Sequence, residues 1–118
     1  MKKVKIPKME LIENDYVRRG STWSALKLIE ASKNIEPFDL PLQGLDISVA
    51  VWGKEINIKT FVYHSKRIAN TNLKYPVILD DEGFICDGWH RVCKALLKNK
   101  KYIKAVRLEK MPEADKVT

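Results

Sequence analysis

The sequence predicts an α+β fold, and three stretches of its second half carry that expectation. "YPVILDDEGFICDG" holds two short β-rich runs, 77–80 and 84–86, around an Asp-Asp-Glu-Gly turn. Gly83 supplies the positive φ that such a turn needs, so the stretch reads as a β-hairpin. Trp89, Val92, Cys93, Leu96 and Leu97 then recur at i, i+3, i+4, i+7 and i+8, the apolar stripe of a helix over 88–99. "IKAVRLEK", 103–110, alternates as a strand does. The second half is therefore a hairpin, a helix and a strand in that order.

The first half is less regular. Residues 1–8 read as a basic arm or edge strand, and "ENDYVRRGS" as a polar loop. "STWSALKLIEASKN", 21–34, predicts a helix capped by Ser21 or Thr22, with Trp23, Leu26, Leu28 and Ile29 as its stripe. It should end before Pro37. Residues 38–52 read as extended, with Pro41 at an edge or strand start and Leu45, Ile47, Val49 and Val51 alternating with polar or small residues. Gly53 and Lys54 mark a turn. "TFVYHSKRIANTN", 60–72, predicts a second helix, capped by Thr60 and burying Phe61, Ser65, Ile68 and Ala69. Residues 111–118 are expected to be a flexible tail.

With 118 residues, the chain is the size of a single domain spanning 1–118, large enough for one core. No apolar run approaches the roughly 18 residues that cross a bilayer. The lysine-rich start is followed by no long apolar region, so no signal peptide is expected and a cytoplasmic location is. Two cysteines, Cys86 and Cys93, make no disulfide framework and suit a reducing compartment. A zinc site would need His64 and His90 to join them; no CxxC or HxxxH spacing supports one, and no metal site is expected. The net charge of +7 fits a nucleotide, DNA or an acidic protein partner, and equally a merely soluble surface.

The chemistry concentrates where the second-half helix begins. Asp87 has the character of an N-cap, and Gly88 lets backbone approach a ligand without a Cβ. His90 and Arg91 then bring cations to the positive end of a helix, which costs roughly 0.3–1 kcal/mol at an exposed site. A bound phosphate offsets that cost, because first-turn amides, an imidazole and a guanidinium all donate to it. Competing structural roles are a bridge from Arg91 to Asp80, Asp81 or Glu82, a buried carbonyl for His90, and a core position for Trp89. The three acids read more simply as a solvated turn than as a metal cluster.

The stretch "YPVILDDEGFICDGWHRVCKALLKNKKYIKAVRLEK" resembles the ParB/sulfiredoxin-like superfamily, whose members open a helix with a Gly-x-His-Arg or Gly-Glu-Arg-Arg type motif after a hairpin. The resemblance covers roughly residues 38–111 and implies a mixed sheet containing the hairpin-helix-strand unit. It also implies nucleotide binding, with ATP or CTP as cofactor. Gly88, His90 and Arg91 would hold the phosphates, and Asp87 would orient the motif or a Mg2+ ion. Trp89 stands where sulfiredoxins carry their nucleophilic cysteine, so that chemistry is not implied. Whether the nucleotide is hydrolysed or its phosphate transferred is left open, since no general base is visible. Two alternatives stand beside this reading. One is a nucleic-acid-binding or nuclease-like accessory protein that contacts the backbone through Lys94, Lys98 and Lys101. The other is an interaction module whose nucleotide site is vestigial and whose basic face meets an acidic partner.

Overall fold

Arg19 and Gly20 both adopt positive φ, 47° and 81°, and this pair turns Tyr16–Arg18 (β1) back on Ser21–Trp23 (β2). Two such residues make the tight turn whose twist matches a hairpin. The computed structural model describes residues 15–53 and 56–118; the basic arm expected at 1–8 and Lys54 of the expected turn lie outside them. Residues 21–23 are thus strand, correcting the helix expected from 21. The chain becomes helical only after Ser24, whose hydroxyl accepts the Lys27 N–H, and α1 runs Ala25–Ser32. The stripe is also narrower than expected: Leu28 is buried, whereas Leu26 is 79% exposed.

Phe38–Pro41 (β3) is an edge strand, the position where Pro41 removes no ladder bond. A 3₁₀ turn, Leu42–Gly44, ends it, and no strand continues to 52. Ile47, Val49 and Val51 are exposed, so their alternation marks no half-buried strand. Helix α2, Ile58–Asn70, is capped by Asn57, which accepts the Thr60 N–H at 2.9 Å, rather than by Thr60. It buries Tyr63 and His64, while Phe61 faces solvent. The expected face is thus nearly reversed.

Val77–Leu79 (β4) and Ile85–Asp87 (β5) form the expected hairpin, with Gly83 at φ 94°. Helix α3, Trp89–Leu97, follows with Gly88 at its N-cap position; Asp87 belongs to β5 and does not cap. Val92 and Ala95 are buried with His90, but Leu97 is exposed, so the buried stripe centres one step from its expected place. Asn99 takes φ 56° and ends the helix. Its N–H bonds the Leu96 carbonyl while the Lys100 N–H bonds that of Ala95, a Schellman closure. Tyr102–Arg107 (β6) then pairs parallel to β4 and antiparallel to β3.

The four-stranded sheet has the order β3-β6-β4-β5. Val77, Ile78 and Leu79 are all buried because both faces of β4 are covered. Val77 and Leu79 pack with Val92, Ala95 and Ile103 beneath α3. On the other face Ile78, Cys86 and Val106 pack with Trp23 and Leu28. The last residues are no free tail: Lys116–Val117 (β7) pairs with β2 and completes a second sheet, β1-β2-β7. Asp115 accepts the Ser24 N–H at 2.8 Å, and the Trp23 indole donates to the Pro112 carbonyl at 2.7 Å. These bonds hold residues 112–117 against the start of α1.

The acidic turn is solvated only in part: Glu82 is exposed and Asp81 half-buried, but the first of the three acids is not solvated as expected. Asp80 is fully buried and accepts from the Tyr16 hydroxyl at 2.7 Å, from Arg18 at 3.1 Å, and from the Glu82 and Phe84 N–H groups. Burial opposes its charge, yet these hydrogen bonds together hold its pKa below the ordinary carboxylate value. Arg18 also pairs with Asp81. These acids therefore pair with Arg18 and, at Glu82, with Arg19, not with Arg91, and the pairing ties the two sheets together.

Candidate functional site

The start of α3 opens into a cavity of about 1040 Å³, walled by β1, the start of α1, residues 51–52, α2 and the end of β5. Asp87, Gly88, His90 and Arg91 all line it. The sequence-nominated residues therefore share one concave surface, each with a particular set of bonds.

Gly88 sits at φ 109°, and a Cβ there would lie 2.7 Å from Val77 Cγ1. Its missing side chain makes room for the core, letting α3 begin directly against β4. Among the described residues no side chain caps the first turn of α3, so the amides behind Gly88 keep their donors.

His90 is buried, and among the described residues its ring bonds no carbonyl. Its Nε2 lies 2.8 Å from Nδ1 of His64, reaching from α3 to α2. Trp52 lies nearly parallel over both imidazoles, with centroids 4.2 Å from His64 and 4.8 Å from His90. Burial first, then the neighbouring His64, Arg67 and Arg91, pushes the His90 pKa down to about 4. Burial and Arg67 lower His64 as well. A pKa held that low leaves the His90 ring neutral at pH 7, so it brings no cation to the helix start.

Arg91 is heavily engaged. Its Nη1 donates to the carbonyls of Tyr75, at 3.1 Å, and Pro76, and its Nη2 donates to Asp87 at 3.1 Å. Three bonds leave two of the five guanidinium N–H donors for a ligand. Burial raises the Asp87 pKa, while Arg91 and Arg67 pull it down. Among the described residues no group of three or more His, Cys, Asp or Glu side chains could hold a metal ion. Asp87 fits Mg2+ only as one carboxylate sharing the ion with phosphates.

Arg67 is the cation that sequence reasoning missed. It projects from α2, lines the cavity, is exposed, and forms no ion pair among the described residues. Its influence on His64, His90 and Asp87 puts its charge close to the helix start. Tyr16, Trp52, Tyr63, Tyr75 and Trp89 give the cavity an aromatic wall, and Asn70 and Asn72 add amides. The lysine triad divides: Lys94 donates to the carbonyls of Ala69, at 3.0 Å, and Thr71, at 2.7 Å, closing the end of α2, while Lys98 and Lys101 are exposed. Cys86 and Cys93 are free thiols. Cys86 is the more deeply buried, and burial, with Asp80 and Asp87, pushes it up to about 12.

Comparisons with known proteins return no matching family model, no matching curated protein and no matching solved structure.

Proposed function

We propose that this chain is a small ParB/sulfiredoxin-like domain that binds a nucleoside di- or triphosphate in the cavity, with the phosphates against the first turn of α3. The observation that carries the reading is the uncapped first turn of α3 facing a cavity of about 1040 Å³, with Arg67 and Arg91 on its wall. Such a turn offers fixed donors and the positive end of the helix dipole to an anion. The Gly88-x-His90-Arg91 spacing adds the resemblance as support.

The residues divide the work. The amides after Gly88 and the two spare donors of Arg91 hold the phosphate nearest the helix. Arg67, the less constrained cation, meets the outer phosphates. His90 contributes a neutral imidazole whose orientation His64 and Trp52 fix. Asp87 holds Arg91 in place and, with phosphates bound, offers a carboxylate to Mg2+. The aromatic wall supplies faces on which a base can stack. Lys94 is committed to the end of α2, which weakens the nucleic-acid alternative built on Lys94, Lys98 and Lys101.

Titration of the chain with ATP and with CTP, each with and without Mg2+, tests the reading. Duplex DNA at two salt concentrations is the comparison. Saturable nucleotide binding that Arg67→Ala weakens by about tenfold is expected, near the lower worth of a bond to a charged group. Absence of binding at millimolar nucleotide, or an Arg67→Ala variant that binds like the parent, overturns it. Tighter binding to DNA, lost steeply with salt, favours the nucleic-acid reading instead.

A further inference from the structure

Helix α2 has a second apolar face. Ile58, Phe61, Val62, Ser65 and Ala69 follow one another at i, i+3, i+4, i+7 and i+11, and at 100° per residue they project within an arc of about 100°. Tyr63 and His64, which face the core, point away from this arc. Nothing among the described residues covers it: Ile58 is 79% exposed, Phe61 60% and Val62 41%. A side chain of Phe size in water is a large unrealised burial. A stripe of this kind, apolar except at Ser65, has the composition of a contact surface.

The charges beside the stripe say what fits it. Lys59 and Lys66 are exposed along one edge, Ile68 lies along the other, and α2 carries no acidic residue. A contact between two copies of α2 would offer these lysines no acidic partner. A bilayer surface is matched by cations along both edges of an apolar face, and here they stand along one. A helix with apolar side chains at the same spacing and Glu or Asp along one edge satisfies both features. Its apolar ridge fills the stripe, and its acids reach Lys59 and Lys66.

We propose that the outer face of α2 is a docking surface for an amphipathic, acidic helix of a partner protein, anchored on Ile58, Phe61 and Val62 and oriented by Lys59 and Lys66. The surface lies on the side of α2 away from Tyr63, Arg67 and Asn70, which line the cavity, so the proposal stands apart from nucleotide binding.

The test uses the full chain and two fluorescein-labelled 18-residue peptides followed by anisotropy. Both carry Leu at i, i+3, i+4 and i+7; one has Glu along the edge and the other Lys. The Glu peptide should bind at least about tenfold more tightly than the Lys peptide. Phe61→Ser should weaken it by about tenfold or more, as loss of an aromatic anchor does. The double change Lys59→Glu with Lys66→Glu should invert the preference. Circular dichroism and ATP titration of the Phe61→Ser variant should match the parent; if its dichroism does not, Ile58→Ser takes its place. Equal binding of the two peptides, no binding of either, or no effect of the serine variant overturns the proposal. So does a concentration-dependent dimer in sedimentation that Phe61→Ser abolishes, which would make the occupant a second copy. Phosphatidylserine vesicles that bind the chain in preference to the Glu peptide overturn it too, in favour of a membrane.

Discussion

Acid should destabilise this protein through the pair His64–His90. An unfolded histidine takes up its proton near pH 6.5, whereas in the fold His90 does so only near pH 4, chiefly because it is buried. Between these values the unfolded chain binds more protons than the folded one, so stability falls as pH drops from 6.5 toward 4. Linkage with these two pKa values makes the His90 contribution smaller at pH 4.5 than at pH 7 by about 2 kcal/mol. The lowered pKa of His64 acts in the same direction and adds to the loss. Urea unfolding of the parent and of His90→Asn at both pH values isolates the effect from other acid-sensitive groups, Asp80 among them. The parent should lose about 2 kcal/mol more than the variant on acidification. Parallel losses would refute the reasoning, because they would mean that His90 titrates alike in both states.

Gly88→Ala should cost at least about 2 kcal/mol in denaturant unfolding, since its Cβ meets Val77 and the residue must keep φ 109°. Asp80→Asn should cost about 2–4 kcal/mol by the same measurement, because it leaves Arg18 and the Tyr16 hydroxyl poorly matched at the joint between the sheets. Arg91→Ala should lower both the thermal midpoint and nucleotide affinity, as Arg91 also ties Tyr75, Pro76 and Asp87, whereas Arg67→Ala should lower affinity alone. Thiol labelling of the native protein should modify Cys93 faster than Cys86, the reverse of what a buried stripe through Cys93 predicts.

The hairpin, α3 and β6 were legible because their signals are local. Val77–Leu79 is an uninterrupted apolar run, Gly83 meets a turn's demand for positive φ, and Val92 and Leu96 keep helical spacing; each declares itself within a few residues. Asp87, Gly88, His90 and Arg91 were likewise legible as a cluster, since consecutive residues at a helix start cannot lie far apart. What each of them does was decided by partners distant in sequence. Ser21–Trp23 is strand because Lys116–Val117 supplies its second neighbour, across more than ninety residues. Stretch 60–72 carries two apolar faces, and only packing against α3 chose the one with Tyr63 and His64. That choice brings His64 onto His90, lays Trp52 over both, and swings Arg67 to the cavity wall. Periodicity states that a helix has a face; it does not state which neighbour will cover it. The charge state of His90, the commitments of Arg91 and the burial of Asp80 all follow from that non-local packing, since desolvation and hydrogen bonding depend on what surrounds a group in space.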